Sequence, residues 1–412
     1  MAYSAGPGAY LFGQEEIAEV MDVLSSGYLF RYGREDDPSF KRKVYQFERE
    51  MEKLTGARHC VATSSGTGAL MACLAALDIG PGDEVIVPGY TFIASISSII
   101  HMNATPVLAE ADESLTIDPK DIEKKITSRT RAIMPVHMLG NPCDMDAIMA
   151  IARKHNLFVI EDCCQAGGAS YKGKKVGTFG DIAAFSLNIF KTFTAGDGGA
   201  VVTNDDELHK RAFAYHDQGH NPNRAGVEVG ARSMFGLNMR INELTGAVAL
   251  AQLRKLDGIL ETLRQKKAKL KAALAAIQSD KFTFRRINDA GECATLLTLL
   301  FKDTATAQAF CEKAGTRTLD QSGWHVYNNM EQLIERKTHT HTGCPFTCPW
   351  GTDAQYEKHM LPQTDDILSR AVNISVGVVD KGLGSDIGIN VLSTDAEIEE
   401  QAKVIAAMLR FV

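Results

Sequence analysis

Leu157-Phe-Val-Ile-Glu161-Asp162-Cys-Cys-Gln165-Ala-Gly-Gly168 is the stretch that decides the architecture of this chain. Four consecutive apolar residues end in two acids and then in small residues, the pattern of a strand buried on both faces that runs into a loop, as strands of a parallel sheet do. The acids then lie at the carboxyl edge of the sheet, where open α/β folds bind their ligands. Outward from here the same alternation repeats. Residues 84–88, 105–109, 131–135, 181–187 and 199–203 read as strands, with helical pieces such as 145–155 between them. The order predicts βαβ units and a largely parallel sheet, covered on both faces, from about residue 61 to 204.

Beyond residue 204 the pattern turns helical, and the Ala/Leu/Lys-rich stretch 243–275 suits a long helix that links two domains. A smaller α/β domain is expected to follow, from the strand-like run 293–301, the helical 304–314 and a closing helix at 395–409. The predicted division is a large domain over 1–255, with the N-terminal segment, and a small C-terminal domain over 256–412. Residues 217–226 are polar and glycine-containing, which reads as a loop ordered by a ligand or a partner. The sequence carries no internal repeat or low-complexity linker.

Composition narrows the partners. The chain has 412 residues, a formal charge of -7 and 45% hydrophobic content, enough for two substantial cores. Net negative charge argues against nucleic acid or an anionic membrane surface, since both need clustered positive charge. Met1-Ala-Tyr-Ser-Ala-Gly-Pro-Gly8 lacks the basic start and apolar core of a signal peptide, and no apolar run reaches spanning length, so the expected compartment is the cytoplasm. Nine cysteines, among them Cys60, Cys73 and Cys311 in apolar settings, read as reduced thiols with disulfides not expected. Adjacent Cys163 and Cys164 fill space rather than bridge. Cys344-Pro-Phe-Thr-Cys348, near His339 and His341, has metal-like composition but fits no usual zinc spacing, and it reads as a loop with incidental thiols; no metal is expected.

The chemistry-bearing residues come in order. Ser65-Gly66-Thr67-Gly68 leads into an Ala/Leu-rich helical stretch, a helix start whose free amides suit a phosphate group as well as an ordinary cap. Asp162 follows. An ionised carboxylate beneath a pyridine ring keeps the ring nitrogen protonated, which pyridoxal chemistry requires; Glu161 reads better as a cap or an edge acid. Lys191 comes third, in Ser186-Leu-Asn-Ile-Phe-Lys191-Thr-Phe-Thr-Ala-Gly-Asp-Gly-Gly199, just after an apolar strand. Apolar surroundings depress an amine's pKa, as a lysine that forms an imine with a carbonyl needs. Neither Gly6-Pro-Gly8 nor Gly196-Asp-Gly-Gly199 has the spacing after a strand that a dinucleotide fold requires.

These pieces, with Pro88-Gly-Tyr-Thr91-Phe92, Gly236-Leu-Asn238-Met-Arg240, the Gly13-Gln-Glu-Glu and Ser26-Gly27 opening and Leu361-Pro362, resemble the sugar aminotransferases among the fold-type-I pyridoxal phosphate enzymes. That DegT/AHBA-synthase-like group includes 3-amino-5-hydroxybenzoate synthase and glutamine:scyllo-inosose aminotransferases, and the likeness runs through nearly the whole chain. It implies an aspartate-aminotransferase-like α/β fold and pyridoxal 5'-phosphate as cofactor. By the same resemblance Lys191 is the imine-forming lysine, Asp162 the partner of the ring nitrogen and Gln165 a donor to the ring oxygen. Phe92 stacks on the ring. The phosphate cup maps onto Gly66, Thr67 and Ser186, and onto Asn238 reaching in from a second subunit, which implies a homodimer with a shared site. His137 matches a histidine near the cofactor in related enzymes, and reads equally as a core histidine.

The reaction so implied is a ping-pong transfer of an amino group from glutamate or glutamine to a keto sugar, aldehyde sugar or cyclitol, in amino-sugar biosynthesis. Related dehydratases carry histidine where this chain has Lys191, which favours amino transfer; a dehydratase or lyase of the same fold and a non-catalytic sugar sensor are the alternatives. Ser26-Gly-Tyr-Leu-Phe30-Arg31-Tyr32-Gly33 departs from the commoner family pattern. Arg31 near the pocket mouth would grip a carboxylate bidentately, which suits an acidic sugar and resembles the 8-amino-3,8-dideoxy-octulosonate transaminases. The competing reading of Arg31 is a salt bridge at the surface or a subunit interface.

Overall fold

The computed structural model describes residues 4–222, 232–339, 341–352 and 354–411. Seven strands form the main sheet: β1 (His59–Thr63), β2 (Glu84–Pro88), β3 (Thr105–Ala109), β4 (Thr130–Ile133), β5 (Phe158–Asp162), β8 (Ile182–Ser186) and β9 (Gly199–Thr203), with the short pair β6 (Ser170–Tyr171) and β7 (Lys174–Lys175) lying apart. Their spatial order is β1-β9-β8-β5-β4-β2-β3, and β3, β2, β4, β5 and β8 run parallel. Only β9 is reversed, antiparallel to both β8 and β1. The parallel strands read as unbroken apolar runs because helices cover both faces; Glu84–Pro88 and Ile182–Ser186 are buried along their length.

The reversal of β9 has a consequence for chemistry. An antiparallel neighbour is reached by a return loop on the same edge, whereas a parallel one needs a crossover. Residues 187–198 therefore turn back over the carboxyl end of β8, and Lys191 sits on that turn, next to the end of β5, where Asp162 pairs in register with Ala184.

The helix Glu243–Ala275 starts where Asn242 accepts from the Thr245 amide at 2.9 Å, and it runs unbroken for 33 residues. Its first half places Leu250, Leu253 and Leu256 in the core of the main sheet, and its second half places Leu263, Leu270 and Leu274 in a second core. That second core lies against β10 (Phe282–Phe284), β11 (Leu296–Phe301) and β12 (Ala371–Ser375), an antiparallel sheet with the helices Thr304–Ala314 and Asp395–Arg410. The expected division between residues 255 and 256 thus falls inside a continuous helix.

Two expectations need correction. Cys344 and Cys348 are joined by a disulfide, because a tight turn, with the Phe346 and Thr347 amides on the Gly343 carbonyl, brings their Cα atoms to 5.0 Å. The other seven cysteines are free, six of them buried. The start of segment 217–226 is not a loose loop either: Asp217 is fully buried and accepts from the Tyr32 hydroxyl at 2.7 Å and from Arg240. Residues 223–226 of that segment lie outside the described residues. No helix among the described residues is long and apolar enough to cross a membrane.

Candidate active site

The ends of β1, β2, β5 and β8 surround a cavity of 510 Å³. Its lining includes Gly66, Thr67, Phe92, Asp162, Gln165, Ser186 and Lys191, all seven brought together from segments up to 125 positions apart (66 to 191).

One end is shaped for a compact anion. The helix Gly66–Ala76 starts here, capped by Ser65, whose Oγ accepts from the Gly68 amide at 2.9 Å. Gly66 and Thr67 at its start line the cavity, which therefore meets the positive end of the helix dipole. Gly66 leaves the space open: a Cβ there would lie 2.8 Å from the Ser186 Cβ and 3.0 Å from the Cys164 Sγ. Those residues fit the phosphate of pyridoxal phosphate, with the Ser186 and Thr67 hydroxyls as further donors.

Lys191 is held by its turn and by a segment that sequence reasoning passed over. The Gly6 amide donates to the Ile189 carbonyl at 3.0 Å and the Gly8 amide to the Lys191 carbonyl at 3.4 Å. Gly6 approaches so closely that a Cβ would lie 2.3 Å from the Phe190 carbonyl carbon. The signal was Gly6-Pro-Gly8, two glycines flanking a proline that starts a helix, and its purpose is clamping. Burial pulls the Lys191 amine below the ordinary lysine range, against the opposing pull of Cys164, Asp162 and Asp380.

Asp162 ends β5 and is 3% exposed. Its Oδ2 accepts from the Ser95 hydroxyl at 2.7 Å and its Oδ1 from the Cys164 amide at 3.0 Å. The Gln165 Oε1 accepts from the Leu139 amide at 3.0 Å, which turns its NH2 toward the cavity as a donor. Phe92 caps the helix Ile93–His101, with the Trp324 ring near-parallel to it at 6.2 Å and His325 at 5.4 Å.

Trp324, His325 and Asp380 also line the cavity, and the sequence gave no periodic or motif signal for them. Burial, with the nearby Lys191 charge, pushes the His325 imidazole down to about 3, so it is neutral at physiological pH. Burial pushes the Asp380 carboxyl up from the usual aspartate range, partly offset by the Gly382 amide and Lys191.

Three other expected residues are placed elsewhere. Asn238 is exposed and does not line the cavity built by its own chain. Arg31 does not line the cavity built by its own chain: it is 6% exposed, donates to the Glu48 carboxylate at 2.8 Å and to the Ala62 carbonyl at 3.4 Å, and lies over the Tyr32 ring. The helix Lys43–Thr55 brings Glu48 to it, a pairing across 17 residues that no local pattern reveals. His137 is fully buried, and both of its ring nitrogens are engaged, Nδ1 accepting from the Cys143 amide at 3.0 Å and Nε2 facing Glu161 at 3.1 Å. Glu161 in turn accepts from the amides of Gly177, Phe179 and Gly180. His137, Glu161 and Cys163 bring ligand-type atoms within 4.8 Å of one another, yet protein donors already satisfy the histidine and the carboxylate.

Comparison with known proteins matches residues 11–379 to the family described as DegT/DnrJ/EryC1/StrS aminotransferases. GDP-perosamine synthase of Caulobacter vibrioides is 45% identical over 223 residues, 53% of this chain and 58% of that protein. The dTDP-3-amino-3,6-dideoxy-alpha-D-galactopyranose transaminase of Aneurinibacillus thermoaerophilus is 45% identical over 247 residues, 59% of this chain and 64% of that protein. Each alignment spans less than two thirds of the relative's own length. Among solved structures, 3-amino-5-hydroxybenzoic acid synthase superposes with a TM-score of 0.80 at 26% identity, covering 99% of this chain and 100% of that one.

Proposed function

Because the chain belongs to the DegT/DnrJ/EryC1/StrS aminotransferase family, we propose that it is a pyridoxal-phosphate-dependent sugar aminotransferase. It moves an amino group from glutamate or glutamine to a keto sugar, aldehyde sugar or cyclitol. The observation that carries this reading is one cavity shared by Lys191, an amine whose pKa burial lowers, Asp162, a carboxylate held by two donors, and a glycine-lined cradle at Gly66.

When bound, pyridoxal phosphate supplies an aldehyde for the amine and a ring that spreads the charge released at the substrate carbon. Gly66, Thr67 and Ser186 would hold its phosphate. Phe92 would cover one ring face, Gln165 would donate to the ring oxygen, and Asp162 would keep a proton on the ring nitrogen. Lys191 would hold the aldehyde carbon, and its Nζ, whose pKa burial depresses, would be the group that moves the proton at the substrate carbon.

The site is completed in a homodimer. Asn238 is exposed beside Phe235, which is 102% exposed, and Leu237, an apolar neighbourhood that a second copy would cover while Asn238 reaches its phosphate cup. An octulosonate falls within that substrate class, and because Arg31 is paired with Glu48 the sugar's carboxylate would be met by a cation other than Arg31.

Borohydride reduction of the cofactor-loaded protein followed by peptide mapping tests the reading: the pyridoxyl group is expected on Lys191. Glutamate or glutamine should convert the loaded protein stoichiometrically to the pyridoxamine form with release of the keto acid. Label elsewhere, or no conversion with either donor, refutes the assignment.

A further inference from the structure

Asp162 owes its orientation to residues outside the usual list of cofactor contacts, and this inference rests on the function just proposed. Thr91 precedes Phe92, the N-cap of the helix Ile93–His101, and Ser95 lies in the first turn of that helix. Thr91 Oγ1 and Ser95 Oγ are 2.7 Å apart, and Ser95 Oγ is 2.7 Å from Asp162 Oδ2. Thr91 is 0%, Ser95 1% and Asp162 3% exposed, so water does not compete for these bonds.

The proton directions follow from valence. An ionised carboxylate only accepts, so the single Ser95 proton goes to Asp162, and Ser95 in turn accepts from Thr91. The hydroxyl chain is polarised toward the carboxylate, and a donor to a charged acceptor is the strong kind. The Cys164 amide takes the other oxygen from a different direction. Two donors from two elements, the helix after β2 and the loop after β5, fix the plane of the carboxylate. Ordinary helix satisfaction does not explain Ser95. Ser98, on the same helix and equally buried, turns its hydroxyl back to the Ser95 carbonyl at 3.1 Å, as helical serines do. Ser95 sends its proton out of the helix to the end of a strand 67 residues away.

We propose that Ser95, backed by Thr91, is a positioning residue that holds the Asp162 carboxylate in the plane needed to bind the protonated ring nitrogen of pyridoxal phosphate. Ser95 and Thr91 lie at the wall of the same cavity, and Ser95 acts through the carboxylate of Asp162.

The test uses the full-length protein loaded with pyridoxal phosphate carrying ¹⁵N in the ring. Its readouts are the ring-nitrogen chemical shift against pH and the cofactor dissociation constant. Ser95→Ala is expected to weaken cofactor binding about ten- to a hundredfold, the range for one hydrogen bond to a charged group, and to move the ring-nitrogen titration to lower pH. Thr91→Val should give a smaller shift in the same direction, and none when added to Ser95→Ala, because its influence passes through Ser95. Thr91→Ser should behave as the unsubstituted protein, and so should Ser98→Ala. The proposal is overturned if Ser95→Ala leaves both readouts unchanged, or if the Thr91→Val and Ser95→Ala effects multiply as independent ones do. Failure of the underlying function shows separately, as an unsubstituted protein with no pyridoxyl group on Lys191, and removes this inference with it.

Discussion

Replacing Arg31 by alanine separates two roles for one guanidinium. In the structure its side chain is 4% exposed and that of Glu48 7%, with 2.8 Å between NH2 and Oε1. Glu48 Oε1 also accepts from the Ala62 amide at 2.8 Å, so Arg31→Ala would leave a buried carboxylate that keeps that amide but loses its charged partner. Removing one partner of a buried pair costs roughly 3–5 kcal/mol, because the other charge stays desolvated. At about 2 °C per kcal/mol, the low end suited to a large chain, the melting temperature falls by roughly 6–10 °C. The double substitution Arg31→Met with Glu48→Leu removes both charges and should recover most of that loss. Differential scanning calorimetry on the parent, Arg31→Ala and the double variant gives the stabilities, and steady-state kinetics at a temperature where all three remain folded gives the Michaelis constants. If Arg31→Ala melts within about 1 °C of the parent while its Michaelis constant for a carboxylated sugar rises more than about tenfold, the ion-pair account is wrong and the guanidinium holds substrate.

Gly66→Ala places a methyl group 2.8 Å from the Ser186 Cβ, inside the cradle; equilibrium dialysis should show pyridoxal phosphate binding weakened by at least about tenfold, one lost charged hydrogen bond or more, with the fold retained by circular dichroism. His216 gives a pH dependence of defined sign. Burial, reinforced by Arg31, pushes its imidazole down to about 3, while the unfolded chain titrates near the ordinary 6.5. Between those values the unfolded state binds a proton that the folded state refuses, so its contribution is fully present above pH 6.5 and is lost as the pH falls toward 3, by about 2 kcal/mol at pH 5. His216→Gln should flatten the slope of melting temperature against pH between 7 and 5, and an unchanged slope would assign the acid sensitivity elsewhere. The bridge between Cys344 and Cys348 predicts seven alkylated thiols in the denatured, unreduced protein and nine after reduction, counted by intact mass.

The sequence by itself determined what depends on neighbours along the chain. Apolar runs ending in acids and small residues mark strands buried on both faces, and the Ala/Leu-rich stretch closing on 275 marks a helix, because periodicity and burial are local consequences of backbone geometry. The order Ser65-Gly66-Thr67, Asp162, Lys191 was equally legible, since each element's chemistry is written in a few consecutive residues. Tertiary structure alone decided where remote side chains meet. The reversal of β9 aims Lys191 over the edge of the sheet, Glu48 claims Arg31, and Glu161 with the Cys143 amide claims His137. Gly6 clamps the lysine turn from the far end of the chain, and Ser95 reaches Asp162 from another helix. A hydrogen bond or ion pair in a dry interior is set by distances of about 3 Å between groups tens to hundreds of residues apart, and no spacing in a linear sequence encodes those distances.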